Sequence, residues 1–191
     1  MGRLPPGTPS VGAMTRLPAA PDSFPRQQAR TRRFTCGEPR TVSVADDGSR
    51  VLFLRSGAGD DPVNALWSLD PVSGAERLVA DPSPLVSGDP GEVPAAEQAR
   101  RERTREVGAG IVAYDALPDL SRVCFVLDGR VFLADVAGSG RVAELSSTGS
   151  AFDPRIAPGG TSVAYVSGGG IRTTGPAGDH PLIGGATDTV S

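Results

Sequence analysis

At 191 residues and a net charge of −3, the chain is long enough for one domain with its own hydrophobic core. Its 25 Gly and 18 Pro favour many turns over long helices. No apolar run reaches the roughly 18 residues of a membrane span, and two cysteines cannot form a disulfide framework, so we expect a cytoplasmic protein without membrane partners.

The basic residues are all arginine and are unevenly distributed. Residues 1–40 carry seven Arg against Asp22 and Glu38, a balance of +5 that leaves −8 for the remainder. Surfaces that bind nucleic acid combine clustered basic side chains with stacking aromatic residues, and the sequence has no such combination. We therefore attribute the arginine bias to codon usage and expect no nucleic-acid partner.

The N-terminal segment, residues 1–22, is rich in Pro and Gly and has no hydrophobic periodicity. Such a composition predicts a disordered segment. It also lacks the apolar stretch of a signal peptide, and Met14 is an alternative start of translation.

From residue 23 onward, one pattern occurs three times. The segments ADDGSRV, LPDLSRV and APGGTSV align Val51, Val123 and Val163, which are separated by 72 and 40 residues. The Asp-Gly or Gly-Gly pairs are typical of a tight turn, and the apolar run from each valine is typical of a strand buried on both faces. The next strands preserve the distance, since Val131 and Ile171 are also 40 residues apart.

A period near 40 residues with several short strands indicates the blades of a β-propeller. We predict an all-β fold over residues 23–191, an incomplete β-propeller of about three four-stranded antiparallel blades. The blades are expected at about residues 38–80, 111–145 and 152–183. The third is the weakest, because its last part has few apolar residues.

The larger first offset indicates an insertion of about 32 residues, from about Val79 to Gly110. Its central part predicts one inserted Arg-rich helix at about residues 92–108, with four arginines in six residues: Arg100, Arg101, Arg103 and Arg105. Guanidinium groups bind carboxylates and carbonyl oxygens, so the helix could hold an anionic or peptide ligand. The alternative is a solvated helix whose glutamates nearly neutralise the arginines.

The sequence contains no recognisable catalytic group. His180 is the single histidine and is expected in a loop beside Pro181, and no His and Cys stand at metal-ligand spacing. The string GTSVA at Gly160–Ala164 lacks the second glycine of a nucleophile elbow, so Ser162 is expected to be a turn or strand residue. We predict no catalytic residues, no metal and no cofactor in this chain.

Four segments resemble a known family when taken in order: SFPRQQARTRRFTCGEPR, DGSRVLFLRS, NALWSLDPVSGAERLVADP and RRERTREVGAGIVAYD. From about Ser23 to Ile183 the chain is similar to the start of a prolyl oligopeptidase-family serine peptidase of the bacterial dipeptidyl-peptidase IV type. The resemblance implies an N-terminal β-propeller followed by an α/β-hydrolase domain that removes dipeptides from peptide N-termini. It also implies that an arginine of the inserted helix binds a substrate carbonyl, and the matching positions are Arg105 and then Arg103.

The chain departs from that family in three ways. It has no Glu-Glu pair to bind a substrate amino group and no hydrolase domain, and it supplies about three of about eight expected blades. We therefore expect an inactive propeller fragment that controls substrate access to a hydrolase domain on another chain. A stand-alone protein-interaction module is the alternative, and an enzyme acting alone is disfavoured. Open blade edges also predict self-association or poor solubility.

Overall fold

The computed structural model describes residues 23–86 and 109–184, and these residues form short strands and two short helices. The elements in chain order are α1 (Phe24–Arg30), β1 (Arg40–Val44), β2 (Val51–Ser56), β3 (Val63–Leu69), β4 (Glu76–Ala80), α2 (Pro82–Leu85), β5 (Ala109–Gly110), β6 (Tyr114–Ala116), β7 (Arg122–Leu127), β8 (Arg130–Asp135), β9 (Val142–Leu145), β10 (Phe152–Ile156), β11 (Val163–Ser167), β12 (Gly170–Thr174) and β13 (His180–Ile183). The predicted inserted helix at about residues 92–108 lies outside the described residues.

The strands form three antiparallel sheets, ordered β1-β2-β3-β4, β6-β7-β8-β9 and β10-β11-β12-β13. We call them blades 1, 2 and 3. The two-residue strand β5 adds to blade 1 by pairing in parallel with the start of β3. The prediction of an all-β fold with three four-stranded antiparallel blades is confirmed.

The turn between the first and second strands of each blade, which we call the opening turn, has the same hydrogen bond in all three copies. In each, the N–H of the fourth turn residue donates to the carbonyl of the first over 2.8 Å: Gly48 to Ala45, Leu120 to Leu117, and Gly160 to Ala157. The fourth residue has a positive φ each time, +70°, +52° and +68°, which glycine adopts without strain and leucine rarely adopts. The turns therefore align at the 72- and 40-residue offsets seen in the sequence.

The central strand of each blade directs alternate side chains to opposite faces of its sheet. We call one side of a blade its odd face, represented by Val51 and Phe53, Val123 and Phe125, or Val163 and Tyr165. We call the other side its even face, represented by Leu52 and Leu54, Cys124 and Val126, or Ala164 and Val166.

Both hydrophobic clusters of the described residues join an even face to an odd face. In the first, Leu52 and Leu54 of blade 1 pack with Val123 and Phe125 of blade 2. The second contains Cys124 of blade 2 with the odd-face residues of blade 3. Blade 2 is therefore buried on both faces, as its uninterrupted apolar strand predicts.

An arginine at the same position of the first two blades joins each to the next one. Arg50 of blade 1 donates through Nη1 to the carbonyl of Leu120 over 3.3 Å, and Arg122 of blade 2 donates to the carbonyl of Gly160 over 2.9 Å. Both acceptors are the fourth residue of an opening turn. In blade 3 the equivalent position is Ser162, whose side chain is too short for the same contact.

We expect Arg122→Met to lower the free energy of unfolding by about 1 kcal/mol, because a charged donor leaves a part-buried carbonyl. Urea denaturation followed by fluorescence of Trp67, the single tryptophan, measures the change. Arg141→Met is the control, since the described residues offer that guanidinium no hydrogen bond or ion pair. Equal effects for the two variants would contradict a stabilising role for this contact.

Helix α1 was not predicted from the sequence. It spans Phe24–Arg30 with a proline in its first turn, which suits the start of a helix. The chain then adopts positive φ at Arg32, Arg33 and Phe34, and the Thr31 hydroxyl accepts the N–H of Phe34 over 2.9 Å. No helix among residues 23–86 and 109–184 is long and apolar enough to cross a membrane.

Candidate functional site

The predicted substrate-binding residues Arg103 and Arg105 lie outside the described residues, but both attachment points of their segment are described. On the departing side, the Asp81 carboxylate caps α2 by accepting the Ser83 N–H over 2.9 Å. The carbonyl of Leu85 then accepts a hydrogen bond from the guanidinium of Arg130 in blade 2. The chain thus leaves blade 1 while tied to blade 2.

On the returning side, β5 contacts the beginning of β3. The Ile111 N–H donates to the carbonyl of Asn64 over 3.0 Å, and the Ile111 side chain is fully buried. Gly110 has a φ of +80°, and a Cβ at this position would lie 2.5 Å from the carbonyl oxygen of Asn64. Both attachment points of the segment therefore lie beside the junction of blades 1 and 2, near Val63 at the start of β3.

The first strand of each blade, β1, β6 or β10, is the inner strand of a propeller blade. Two polar side chains of β6 join these three strands. The Tyr114 hydroxyl donates to the carbonyl of Thr41 over 2.6 Å and lies 3.0 Å from the Ser43 hydroxyl. Burial raises the pKa of Tyr114 above its ordinary value, so this phenol is a neutral hydrogen-bonding group and not a base. On the other side, the Asp115 carboxylate accepts the N–H of Ile156 over 2.8 Å.

The same inner surface carries a small charged group. Arg155 lies 2.9 Å from Asp153 and 3.9 Å from Asp115, and its side chain is 66% exposed. In a β-propeller the blades surround a central channel, and the first strand of each blade is the one nearest to it. Exposed ion pairs of this type contribute little stability and can exchange partners easily. The charged group therefore adds little to the stability of the fold.

A second polar cluster lies on the odd face of blade 3 and was not predicted from the sequence. The Asp179 carboxylate accepts the Tyr165 hydroxyl over 2.6 Å, the Thr148 hydroxyl over 2.5 Å and Nη2 of Arg172 over 2.7 Å. The Tyr165 hydroxyl in turn accepts the N–H of Thr148 over 2.9 Å. The cluster therefore holds the linker between blades 2 and 3 against blade 3.

The electrostatics of this cluster favour a charged, fully paired carboxylate. Burial by itself raises the pKa of Asp179, but hydrogen bonds from Arg172, Thr148 and Tyr165 outweigh it and lower the pKa to about 2. Arg172 also lines a cavity of about 290 Å³ with Ser167 and Pro181. Because Asp179 already neutralises its guanidinium, the arrangement is structural. Alternation along β11 and β12 would place Tyr165 and Arg172 side by side, but the sequence shows no link to Asp179.

The reactive side chains of the described residues form no catalytic group. Burial raises the pKa of Cys124 to about 12, so its thiol stays protonated. Cys36 is half-buried and borders a hollow of about 380 Å³ with Arg30, Phe34 and Asp60. In residues 23–86 and 109–184, no three His, Cys, Asp or Glu side chains are grouped as metal ligands.

His180 was expected in a loop, and this expectation is wrong. The residue begins β13 and pairs with Thr173, with its side chain exposed. A turn from Gly175 to Gly178 precedes it, and β13 then pairs with the free edge of β12. Ser162 lies directly before β11, between the turn and the strand, and its carbonyl accepts the N–H of Ala157 over 2.9 Å.

Comparison with known proteins identifies the architecture. No protein-family model matches the chain. A prolyl endopeptidase, from a study of inter-domain dynamics in the catalysis and specificity of two such enzymes, matches with a TM-score of 0.52 and 17% identity over 85% of this chain and 25% of the enzyme. TolB from Acinetobacter baumannii matches with a TM-score of 0.47 and 17% identity over 74% of this chain and 31% of TolB. The chain spans about a quarter to a third of the length of these proteins, and the first match supports a β-propeller fold.

Proposed function

We propose that the chain is the N-terminal propeller portion of a dipeptidyl-peptidase IV-like serine peptidase. Its described residues supply no catalytic group, and it controls the access of peptide N-termini to the hydrolase domain of such a peptidase. The observation that carries the proposal is the ordered resemblance from Ser23 to Ile183 on a chain that folds as propeller blades. In that resemblance, the segment Arg101–Tyr114 corresponds to a substrate-binding helix and the strand after it.

The attachment of that segment is consistent with a binding role. Its return is held by close packing of Gly110 on Asn64 and by burial of Ile111. Both attachment points lie beside the junction of blades 1 and 2, so the chain leaves and returns at the same place in the fold. The polar inner surface around Asp115 and Arg155 would contact the peptide as it enters.

Activity measurements separate this proposal from an enzyme that acts alone. We expect the purified chain to release no p-nitroaniline from Gly-Pro-p-nitroanilide. When the hydrolase domain of a dipeptidyl-peptidase IV-like enzyme is added, we expect binding and a changed KM. Release by the chain alone would overturn the inactive assignment, and failure to bind the hydrolase domain would overturn the peptidase assignment.

Within such a complex, Arg105→Ala is expected to raise KM about tenfold, because one charge-assisted hydrogen bond to a substrate carbonyl contributes roughly 1.4 kcal/mol. The control is Arg100→Ala, on the same segment but away from the matched position. Steady-state kinetics with the Gly-Pro substrate measure both variants. Equal KM values for Arg105→Ala and the unchanged chain would remove Arg105 from the binding site.

The second candidate function is a stand-alone protein-interaction module. It is favoured by the apolar side chains that the first and last blades expose, among them Val44 and Ile183 at 59% and 61%. Exposed apolar patches on a folded domain mark interaction surfaces. This candidate predicts a stable complex in the absence of any hydrolase domain.

A further inference from the structure

The exposed apolar side chains of the strands are confined to the two end blades. On blade 1 they are Val42, Val44 and Leu78, and on blade 3 they are Ile171, Leu182 and Ile183. Among the described residues, blade 2 exposes no large hydrophobic side chain. The exposure therefore follows the position of a blade in the stack and not the general composition of the strands.

The two end surfaces are of opposite kind. Val44 pairs with Val51 and therefore lies on the odd face of blade 1, with Phe53 and Trp67. Ile183 pairs with Ile171, which pairs with Val166, so these residues lie on the even face of blade 3. Both contacts between blades in this chain join an even face to an odd face. The described residues leave one face of each kind without a partner blade.

On the odd face of blade 1, a charged pair lies over the apolar side chains, and Phe53 is only 4% exposed. The guanidinium of Arg55 lies over the Trp67 ring at 4.7 Å and over the Phe53 ring at 5.3 Å. The Glu76 carboxylate accepts two hydrogen bonds from it, of 3.1 and 2.5 Å. Because the charge is neutralised within the surface, it can be covered without leaving an unpaired ion.

We propose that two copies of this chain associate head to tail, with the even face of blade 3 in each copy packed on the odd face of blade 1 in the other. This contact repeats the arrangement found twice within the chain. The described residues of two copies supply six blades, within the roughly four to eight of closed propellers, whereas those of three copies would exceed that range. The inference is independent of the peptidase assignment.

The arginine series indicates how strong the new contact is. Arg50 and Arg122 each donate to the fourth turn residue of the following blade, and Gly48 is that residue in blade 1. Blade 3 has Ser162 in place of the arginine, so the contact between copies lacks this hydrogen bond. The two contacts between copies are therefore weaker than the contacts between blades within each chain. The dimer is expected to dissociate on dilution.

Sedimentation equilibrium and light scattering of the full chain over a range of concentrations test the proposal. We expect a species of twice the 19.5 kDa chain mass. Val44→Lys and Ile183→Lys should each raise the dimer dissociation constant tenfold or more, because each places a charge in an apolar contact. Val72→Lys is the control, since Val72 is 95% exposed in a turn outside both faces. Circular dichroism verifies that each variant keeps its strands.

Ser162→Arg provides a test in the opposite direction. The introduced guanidinium should reach the Gly48 carbonyl of the other copy and lower the dissociation constant about tenfold. A monomer at all concentrations, an open-ended polymer, or a dimer that responds to Val44→Lys but not to Ile183→Lys would overturn the proposal. The last result would indicate a symmetric contact between two copies of blade 1.

Discussion

Replacing Asp179 with Asn is expected to lower the free energy of unfolding by about 3 kcal/mol, because it leaves the Arg172 charge without its partner in a largely buried cluster. The side chains of Asp179 and Arg172 are only 8% and 22% exposed, so water compensates little. The variant also weakens the hydrogen bonds that hold Thr148. Urea denaturation at one fixed protein concentration measures the loss, since self-association would otherwise change the apparent stability.

The matched control is Asp153→Asn, which also removes a carboxylate from an arginine but at a side chain that is 58% exposed. An exposed pair of this kind contributes at most about 1 kcal/mol. A loss for Asp179→Asn no larger than for Asp153→Asn would contradict the structural role of the cluster.

The same carboxylate gives the chain a defined acid sensitivity. The folded pKa of Asp179 is about 2 against an ordinary value of 3.8, so the folded state favours its ionised form. Its stabilisation of roughly 2 kcal/mol is complete above pH 4 and is lost as the pH falls from 4 towards 2. The stability difference between the unchanged chain and Asp179→Asn should therefore shrink over this interval. A constant difference would exclude Asp179 as its source.

Gly110→Ala is expected to destabilise the chain by about 3 kcal/mol through two separate effects. A non-glycine residue at a φ of +80° is strained by about 1 kcal/mol, and its Cβ would stand 2.5 Å from the carbonyl oxygen of Asn64. Because the obstacle is backbone, it cannot turn aside as a side chain would. The pairing of β5 with β3 must then open and expose part of Ile111.

Gly74→Ala isolates the steric effect in that experiment. Gly74 has a similar φ of +72°, but nothing lies within 4 Å of a Cβ placed there. We expect Gly74→Ala to cost only about 1 kcal/mol. Similar urea midpoints for the two variants would show that the close approach to Asn64 does not constrain the return of the inserted segment.

The alternation of the strands and the chemistry of the opening turns could be predicted from the sequence, because both are local properties. Val51, Val123 and Val163 follow equivalent turns, and the 72- and 40-residue offsets carry through to the pairing of the first two strands in each blade. A turn needs only four neighbouring residues, and a strand needs only its period of two. These features identified propeller blades without any knowledge of long-range contacts.

The candidate site could be predicted only in part. The Arg-rich segment was predicted from the repeat offset and its composition, and a resemblance selected Arg105 and Arg103 within it. Both arginines lie outside the described residues, so their binding role stays a prediction. Helix α1 was missed because it is short and has no buried residue, so its sequence has no apolar stripe.

The tertiary structure alone decided which distant groups meet. Asp179 reaches Thr148 across 31 positions of sequence, and Arg50 reaches Leu120 across 70. Such contacts depend on how one blade is placed against the next, and no local pattern encodes that placement. The opposite character of the two end faces likewise appears only when strand register assigns each side chain to a face, because a shift of one residue would exchange them.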